Sequence, residues 1–359
     1  MDTNVRIIAG FTLKSSLKGC YYQSSEEDKA YIRSCVLQAL LDPIQPIRNA
    51  AGVIATQLVT VGSLKAWPDL LPTLMKMLKS ENTECIVTAL SCLSKITEDN
   101  IYELDSAEVN YPLNDLIPLF ISFFQHPSQE VVYHNVSCMR NSIDAMPNAL
   151  LVNMDAYLQA LSWLLTRTND ETLALICNSL VSILSLRVDA LLPSLDGVFE
   201  FMLQMSQHPN HFVATQATEF WSTFATLQEQ DDVLQRLSGY LPRLIPMLVL
   251  VRVVCGGEWG VEYAVQRRRT GFAERGRVGC VRRGRRASVR VPAREGRQVE
   301  FSREKMKRRS LALDEDQGMW TLRKASAWAL DCLSNAYNAD VLEIIAPVLS
   351  VREKTRREA

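Results

Sequence analysis

The sequence predicts an all-α fold, a solenoid of stacked helix pairs, and three observations predict it. Strand signals are nearly absent from the first 250 residues, while apolar residues recur at i, i+3 and i+4 almost throughout. Similar segments return at a spacing near 40 residues. No uninterrupted apolar run reaches the roughly 18 residues of a membrane span. The richest, YLPRLIPMLVLVRVV from Tyr240, holds two prolines and two arginines and reads as a buried helix.

The first helix of each pair is announced by a Leu-Pro or Ile-Pro opening. These occur in LLPTLMKMLKS (from Leu70), LIPLFISFFQH (from Leu116), LLPSLDGVFEFMLQM (from Leu191) and LIPMLV (from Leu244). Proline fits a first helical turn, where its missing N–H has no partner anyway. Polar turns, SENTE, HPSQE and HPNH, follow three of them. The second helix then enters at Ile47, Cys85, Val131, Thr172, Val213 and Leu322, with spacings of 38, 46, 41, 41 and 109 residues. Four of the five match the period of two-helix HEAT or armadillo repeats. The fold class is therefore an alpha-alpha superhelix, a HEAT-repeat solenoid, in which each pair's apolar face is covered by the next. Small residues near the second-helix entry, Ala51, Ala89 and Ala217, suit close helix approach.

The odd spacing locates an insertion. From Pro72 to Cys85 and from Pro118 to Val131 is 13 residues, but from Pro246 to Leu322 is 76. About 63 extra residues thus lie between two helices of one repeat. The expected layout is HEAT repeats over 1–253 and a disordered basic Arg/Gly-rich insert over 254–313. The second helix of the interrupted repeat and the start of the next occupy 314–349, and a disordered tail 350–359. Between Arg252 and Arg309 stand 16 Arg and 2 Lys against 6 Glu, a net charge of +12. The remainder carries −13 and favours partners with basic surfaces. Arg-, Gly- and Val-rich sequence without periodicity is also what GC-rich non-coding DNA gives on translation, so a retained intron and a divergent loop both fit the insert.

Nine cysteines, an odd number with no CxxC pair, mostly fall within apolar helical patterns. They read as reduced, buried thiols of a cytosolic or nuclear protein. The N-terminal MDTNVRIIAGF lacks the apolar core of a secretion signal. No Walker-type GxxxxGK[ST], GxSxG or strand-following GxGxxG occurs. His208 and His211 form an HxxH, but within the turn QHPNHF, and His126 occupies the equivalent QHPS turn. They read as turn residues rather than ligands, since no third ligand or general-base Glu stands at helical spacing. Neither an enzyme, a cofactor nor a metal is expected.

Longer strings carry a family resemblance. LKAWPDLLPTLMKML (from Leu64) resembles the Trp-Pro-Asp-Leu-Leu-Pro signature of importin-β family receptors, and GFTLKSSLK (from Gly10) is similar to the helix preceding it. LSLRVDALLPSLDGVFEFMLQ, ATEFWSTFA, YLPRLIPMLV and WTLRKASAWALDCLSNAY (from Trp320) resemble the transportin, karyopherin-β2, type. The resemblance covers 4–253 and 314–349. It implies a nuclear import receptor shuttling between cytoplasm and nucleus. The implied partners are the GTP form of the small GTPase Ran, Phe-Gly repeats of nucleoporins, and cargo with proline-tyrosine localisation signals. In this reading the chain starts within the second repeat and ends after the eighth, leaving out the cargo arch.

Ran-contact candidates follow from the same resemblance. Lys14 and Lys18 share one helix face. Trp67 reads chiefly as a packing anchor and Asp69 as a helix cap, with a partner role for either as the alternative. Asp314, Glu315 and Asp316 look like the end of the acidic loop that the family carries where this chain is basic, and Asp231 and Asp232 offer further acidic contacts. A generic HEAT scaffold is one alternative reading. An RNA-binding protein using the insert is another, although the insert has few interleaved aromatics and nucleic acid is not the expected partner.

Overall fold

Polar side chains start the second helix of almost every pair. In the computed structural model, which describes residues 2–227, 231–254 and 320–358, Asn82, Ser128, Asn169, Asn210 and Thr321 each accept a backbone N–H of the helix they precede. This satisfies one of the orphan donors of a helix start. The described residues are helical with no strand. They fall into two units, Met1–Leu195 and Asp196–Ala359, each described by itself.

The first unit holds α1 (Thr3–Cys20), α2 (Glu26–Leu40), α3 (Gln45–Gly62), α4 (Leu70–Leu78), α5 (Thr83–Leu104), α6 (Leu113–Ser122), α7 (Gln129–Ile143), α8 (Asn148–Val152), α9 (Met154–Leu164), α10 (Asp170–Leu186) and α11 (Val188–Leu191). The second helices stack in a row, α1 on α3, α3 on α5, α5 on α7 and α7 on α10. First helices pack on their partners, α2 on α3, α4 on α5 and α6 on α7. Small residues bring the row together: a Cβ on Gly52 would sit 3.8 Å from that of Cys92. Ala51, Ala89 and, in the second unit, Ala217 are buried.

Hydrogen bonds between neighbouring repeats join residues about one period apart. Arg48, only 5% exposed, donates to Thr88 Oγ1 at 3.0 Å and Glu84 Oε2 at 2.7 Å. Its remaining N–H groups reach the carbonyls of Asp42 and Pro43. Asn141 donates to the Ser94 carbonyl at 3.0 Å, and Arg140 to Asn178 Oδ1 at 2.5 Å. Glu103 accepts from Ser63 Oγ and the Leu64 amide and so fixes the link from α3 to α4. Links from a second helix to the next repeat also carry non-glycine residues with positive φ: Ser63, Asn110, Tyr111, Met146 and Asn338.

The second unit holds α12 (Leu195–Ser206), α13 (His211–Phe224), α14 (Asp231–Ser238), α15 (Leu241–Val254), α16 (Leu322–Tyr337) and α17 (Ala339–Glu358). Its core centres on Phe199, which meets Phe220, Trp221, Phe224 and Tyr240 at ring centroid distances of 5.0–6.2 Å. Trp221 Nε1 donates to Ser206 Oγ at 3.0 Å, linking α12 to α13. α16 packs on both α13 and α15, and α17 on α15 and α16. The two helices that flank the expected insert thus lie against each other. Apart from Val254, the last residue of α15, that insert lies outside the described residues.

Two expectations need correction. Pro118 and Pro246 lie inside α6 and α15 rather than in their first turns. α6 starts one turn earlier, at Leu113. Pro118 and Asn114, whose carbonyl loses its i+4 donor to the proline, are both exposed and face solvent. The tail expected to be disordered from 350 instead continues α17 as far as Glu358. VREKTRRE is rich in Arg, Lys and Glu, whose unbranched side chains lose little freedom in a helix.

Tyr21, just after α1, ties together α2 and α3. It is buried and accepts from Arg33 Nε and Nη2 at 3.2 and 2.7 Å. A Cβ on Gly62 would fall 2.7 Å from its hydroxyl oxygen. We expect Gly62→Ala to destabilise the first unit by about 1–3 kcal/mol through overpacking, read as a lower urea midpoint, with Gly19→Ala, which meets nothing within 4 Å, as the control.

Candidate partner-binding face

The stacked second helices leave one side of each open, and their charged residues gather there. On α5 these are Glu84, Lys95, Glu98 and Asp99, with Tyr102 in the last turn. α7 adds Glu130, His134 and Asp144, and α10 adds Asp170 and Glu171. The face is predominantly acidic, and bonds between helices hold it in register. The Tyr102 hydroxyl donates to the Asp144 carbonyl at 3.4 Å, while Arg140 bridges Asp144 at 3.0 Å and Asn178. Surface ion pairs of this kind contribute little to stability but fix where charge is presented.

His134 is the most perturbed group on this face. Burial, and then the positive charge of Lys95, push its pKa down from the ordinary 6.5 to about 4. It is therefore neutral at pH 7. The unfolded chain, with an ordinary imidazole, takes up the proton first as pH falls. The stability contribution is complete above about pH 6.5 and is lost as pH falls toward 4. We expect His134→Gln to flatten the decline in urea stability between pH 7 and pH 5, relative to the wild type.

The residues singled out in the sequence are dispersed. Lys14 is half-buried and Lys18 exposed, one turn apart on α1, and neither joins an ion pair among the described residues. Trp67 is 3% exposed, so its ring is a packing anchor in the α3–α4 link and offers no surface to a partner. Asp69 is exposed at the start of α4 but makes no side-chain cap. Its backbone carbonyl instead accepts from Thr73 N and Oγ1. Asp314, Glu315 and Asp316 lie outside the described residues, as do the side chains of Asp231 and Asp232. The face on α5, α7 and α10 escaped sequence reasoning. Its signal was positional: charged residues recurring between the buried positions of successive second helices.

The histidine turns repeat in detail. His126 Nδ1 accepts the Ser128 amide at 3.1 Å, and His208 Nδ1 accepts the Asn210 amide at 3.2 Å. The described cysteines are all free thiols, but Cys20 and Cys35 are exposed rather than buried, because they sit at the open sides of α1 and α2. Burial pushes the Cys92 and Cys177 thiols up to about 12 and Cys138 higher still, which leaves them poor nucleophiles. Peptide-mapped alkylation of the native protein at pH 8 should modify Cys20 and Cys35 well before Cys92, Cys138 and Cys177.

Stacked helix pairs at this period define the class: an α-α superhelix of HEAT repeats. The chain is similar in sequence to receptors of the karyopherin-β type, importin-β and transportin. It is 31% identical to transportin-1 of Mus musculus over 358 residues, covering 97% of this chain and 38% of that protein. It is 30% identical to importin subunit beta-2 of Schizosaccharomyces pombe over 362 residues, covering 97% of this chain and 40% of that protein. Among solved structures it superposes on Kap95p, whose binding induces the switch loops of RanGDP to adopt the GTP-bound conformation. There the TM-score is 0.59 at 16% identity, over 97% of this chain and 36% of that one. The chain thus spans about two fifths of the length of these relatives. No protein-family profile matches it. The relatives are nuclear import receptors.

Proposed function

We propose that the chain is the Ran-binding arch of a transportin-like nuclear import receptor, and that it binds the GTP form of Ran through its stacked second helices. The observation that carries this reading is identity of 30–31% to transportin-1 and importin subunit beta-2 across 97% of the chain. The Ran complex of Kap95p, which shares the fold, supports the choice of partner. Lys14 and Lys18 are free to meet acidic side chains of the GTPase. Asp69 and the acidic face of α5, α7 and α10 suit its basic ones, and Asp314, Glu315 and Asp316 add acidic contacts. Trp67 acts only by holding the α3–α4 link. Association changes affinities and makes or breaks no covalent bond, so the receptor is not an enzyme and takes no cofactor.

In the cell this receptor shuttles between cytoplasm and nucleus, meets nucleoporin Phe-Gly repeats along its first helices, and supports import of proteins bearing proline-tyrosine signals. We expect immobilised chain to retain Ran-GTP and not Ran-GDP at physiological salt. Lys14→Glu with Lys18→Glu, two surface changes that leave the circular dichroism spectrum intact, should weaken retention about tenfold, which is about 1.4 kcal/mol. Equal retention of both nucleotide states, or of neither, overturns the proposal.

A further inference from the structure

Among the interior second helices of the first unit, α3, α5, α7 and α10, one aromatic ring stands open to solvent: Tyr102, 49% exposed. α3 and α7 flank α5 on either side, so the neighbouring second helices are in place and still leave the ring uncovered. The ring is also held. α5 is interrupted two residues earlier, where Asn100 has a non-helical φ of −131° and ψ of 26° and its Oδ1 accepts from Thr60 Oγ1 of α3 at 3.4 Å. Beyond that break the last turn is gripped from both sides. Glu103 accepts from Ser63 Oγ and, at 2.7 Å, from the Leu64 amide in the preceding link. The Tyr102 hydroxyl donates to the Asp144 carbonyl of the following repeat at 3.4 Å. A ring fixed in this way loses little further freedom when a partner covers it.

The surroundings of the ring suit a cation. Glu98 and Asp99, one turn earlier on α5, are exposed and join no ion pair among the described residues. Asp144 is exposed on the other side. α5 and α7 end here, at Leu104 and Ile143, so their last carbonyls add the negative end of each helix dipole. Lys95, the cation of α5 on this side, turns its Nζ back to Ser91 Oγ at 3.4 Å. Arg140 shows how a guanidinium fits the same surface, meeting Asp144 at 3.0 Å and Asn178 at 2.5 Å. On α9 of the same unit a guanidinium lies over an aromatic face, Arg167 over Trp163 at 4.7 Å.

We propose that Tyr102 is the aromatic anchor of this face and takes the guanidinium of a partner arginine, stacked on the ring with its N–H groups directed to Glu98, Asp99 or Asp144. The inference rests on the Ran-GTP reading above and names the contact at which the acidic face grips that partner. Arginine fits better than lysine. Its planar head stacks on an aromatic face and still presents a fork of donors to a carboxylate, whereas an ammonium is a compact point charge. A tyrosine ringed by polar groups is also the composition of an interface hot spot. The acidic body of the chain, net −13 outside the basic stretch, favours the same kind of partner.

The test is the dissociation constant of the intact chain for Ran-GTP, by calorimetry at physiological salt, with three variants of unchanged circular dichroism spectrum. Tyr102→Ala is expected to weaken binding about fivefold, equivalent to about 1 kcal/mol. Tyr102→Phe keeps the ring and loses the bond to Asp144, and is expected within about twofold of the wild type. Tyr102→Trp offers a larger π face and is expected to bind at least as tightly. In Ran carrying nitrogen-labelled arginine, one side-chain N–H resonance should move upfield on binding the wild type and not on binding Tyr102→Ala, as the ring current requires. A wild type that binds Ran-GTP no more tightly than Tyr102→Ala overturns this inference and leaves the Ran reading standing. So does a Tyr102→Phe variant as weak as Tyr102→Ala, or the absence of any arginine shift. A wild type that retains both nucleotide states equally, or neither, overturns the two together.

Discussion

Close stacking of the second helices is the constraint on which the rest of the structure depends. α3, α5 and α7 are each flanked on both sides by second helices of adjacent repeats, and side chains at the crossing have to be small or neatly bonded. Gly10 against Ile54 and Gly52 against Cys92 show how little space remains. Two of the larger polar groups in the seam are met by partners about one period away: Arg48 finds Thr88 and Glu84, and Asn141 finds Ser94 and Thr97. An unmet buried donor would cost about 1–3 kcal/mol. The period visible in the sequence is thus the period of this bonding pattern as well as of the apolar stripes.

That constraint also decides where function can reside. Buried sides of the second helices are committed to stacking, and first helices are committed on one side to their partners. Charge therefore collects on the remaining open side, in α5, α7 and α10, where the helix-to-helix bonds of Tyr102, Arg140 and Asp144 hold it in register. His134 sits on the border of the two environments. Its neutrality is a direct consequence of partial burial next to Lys95, not a sign of catalytic tuning.

The repeat architecture was legible because stacking imposes a periodic demand for small and apolar residues. Entry marks at Cys85, Val131, Thr172 and Val213 each fall three residues after the observed cap, at Asn82, Ser128, Asn169 and Asn210. Individual contacts were less legible. Pro118 reads as a helix start from local rules, yet solvent tolerates its unpaired turn and the helix begins earlier. Asp69 has the right residue type for a cap, but its own φ and ψ are helical, a geometry from which a side chain does not cap. Trp67 is named by a motif without revealing that its ring is enclosed. The charged face was invisible because its members are contiguous only across repeats, at spacings that no local motif samples.

The interrupted repeat shows why connection length and fold separate in this architecture. α15 and α16 pack on each other although 67 residues lie between Val254 and Leu322. The link from α4 to α5 takes only four. Closure entropy grows with the logarithm of length, so the longer connection costs about 2–3 kcal/mol more. The burial of Leu322, Ala325, Ala329 and Leu333 on α16 against α13 and α15 outweighs that at roughly 1.5–3 kcal/mol for each large side chain. The helix pair therefore specifies its own packing whatever stands between. The packing of the pair thus makes no demand on the connecting sequence, which is strongly basic in composition.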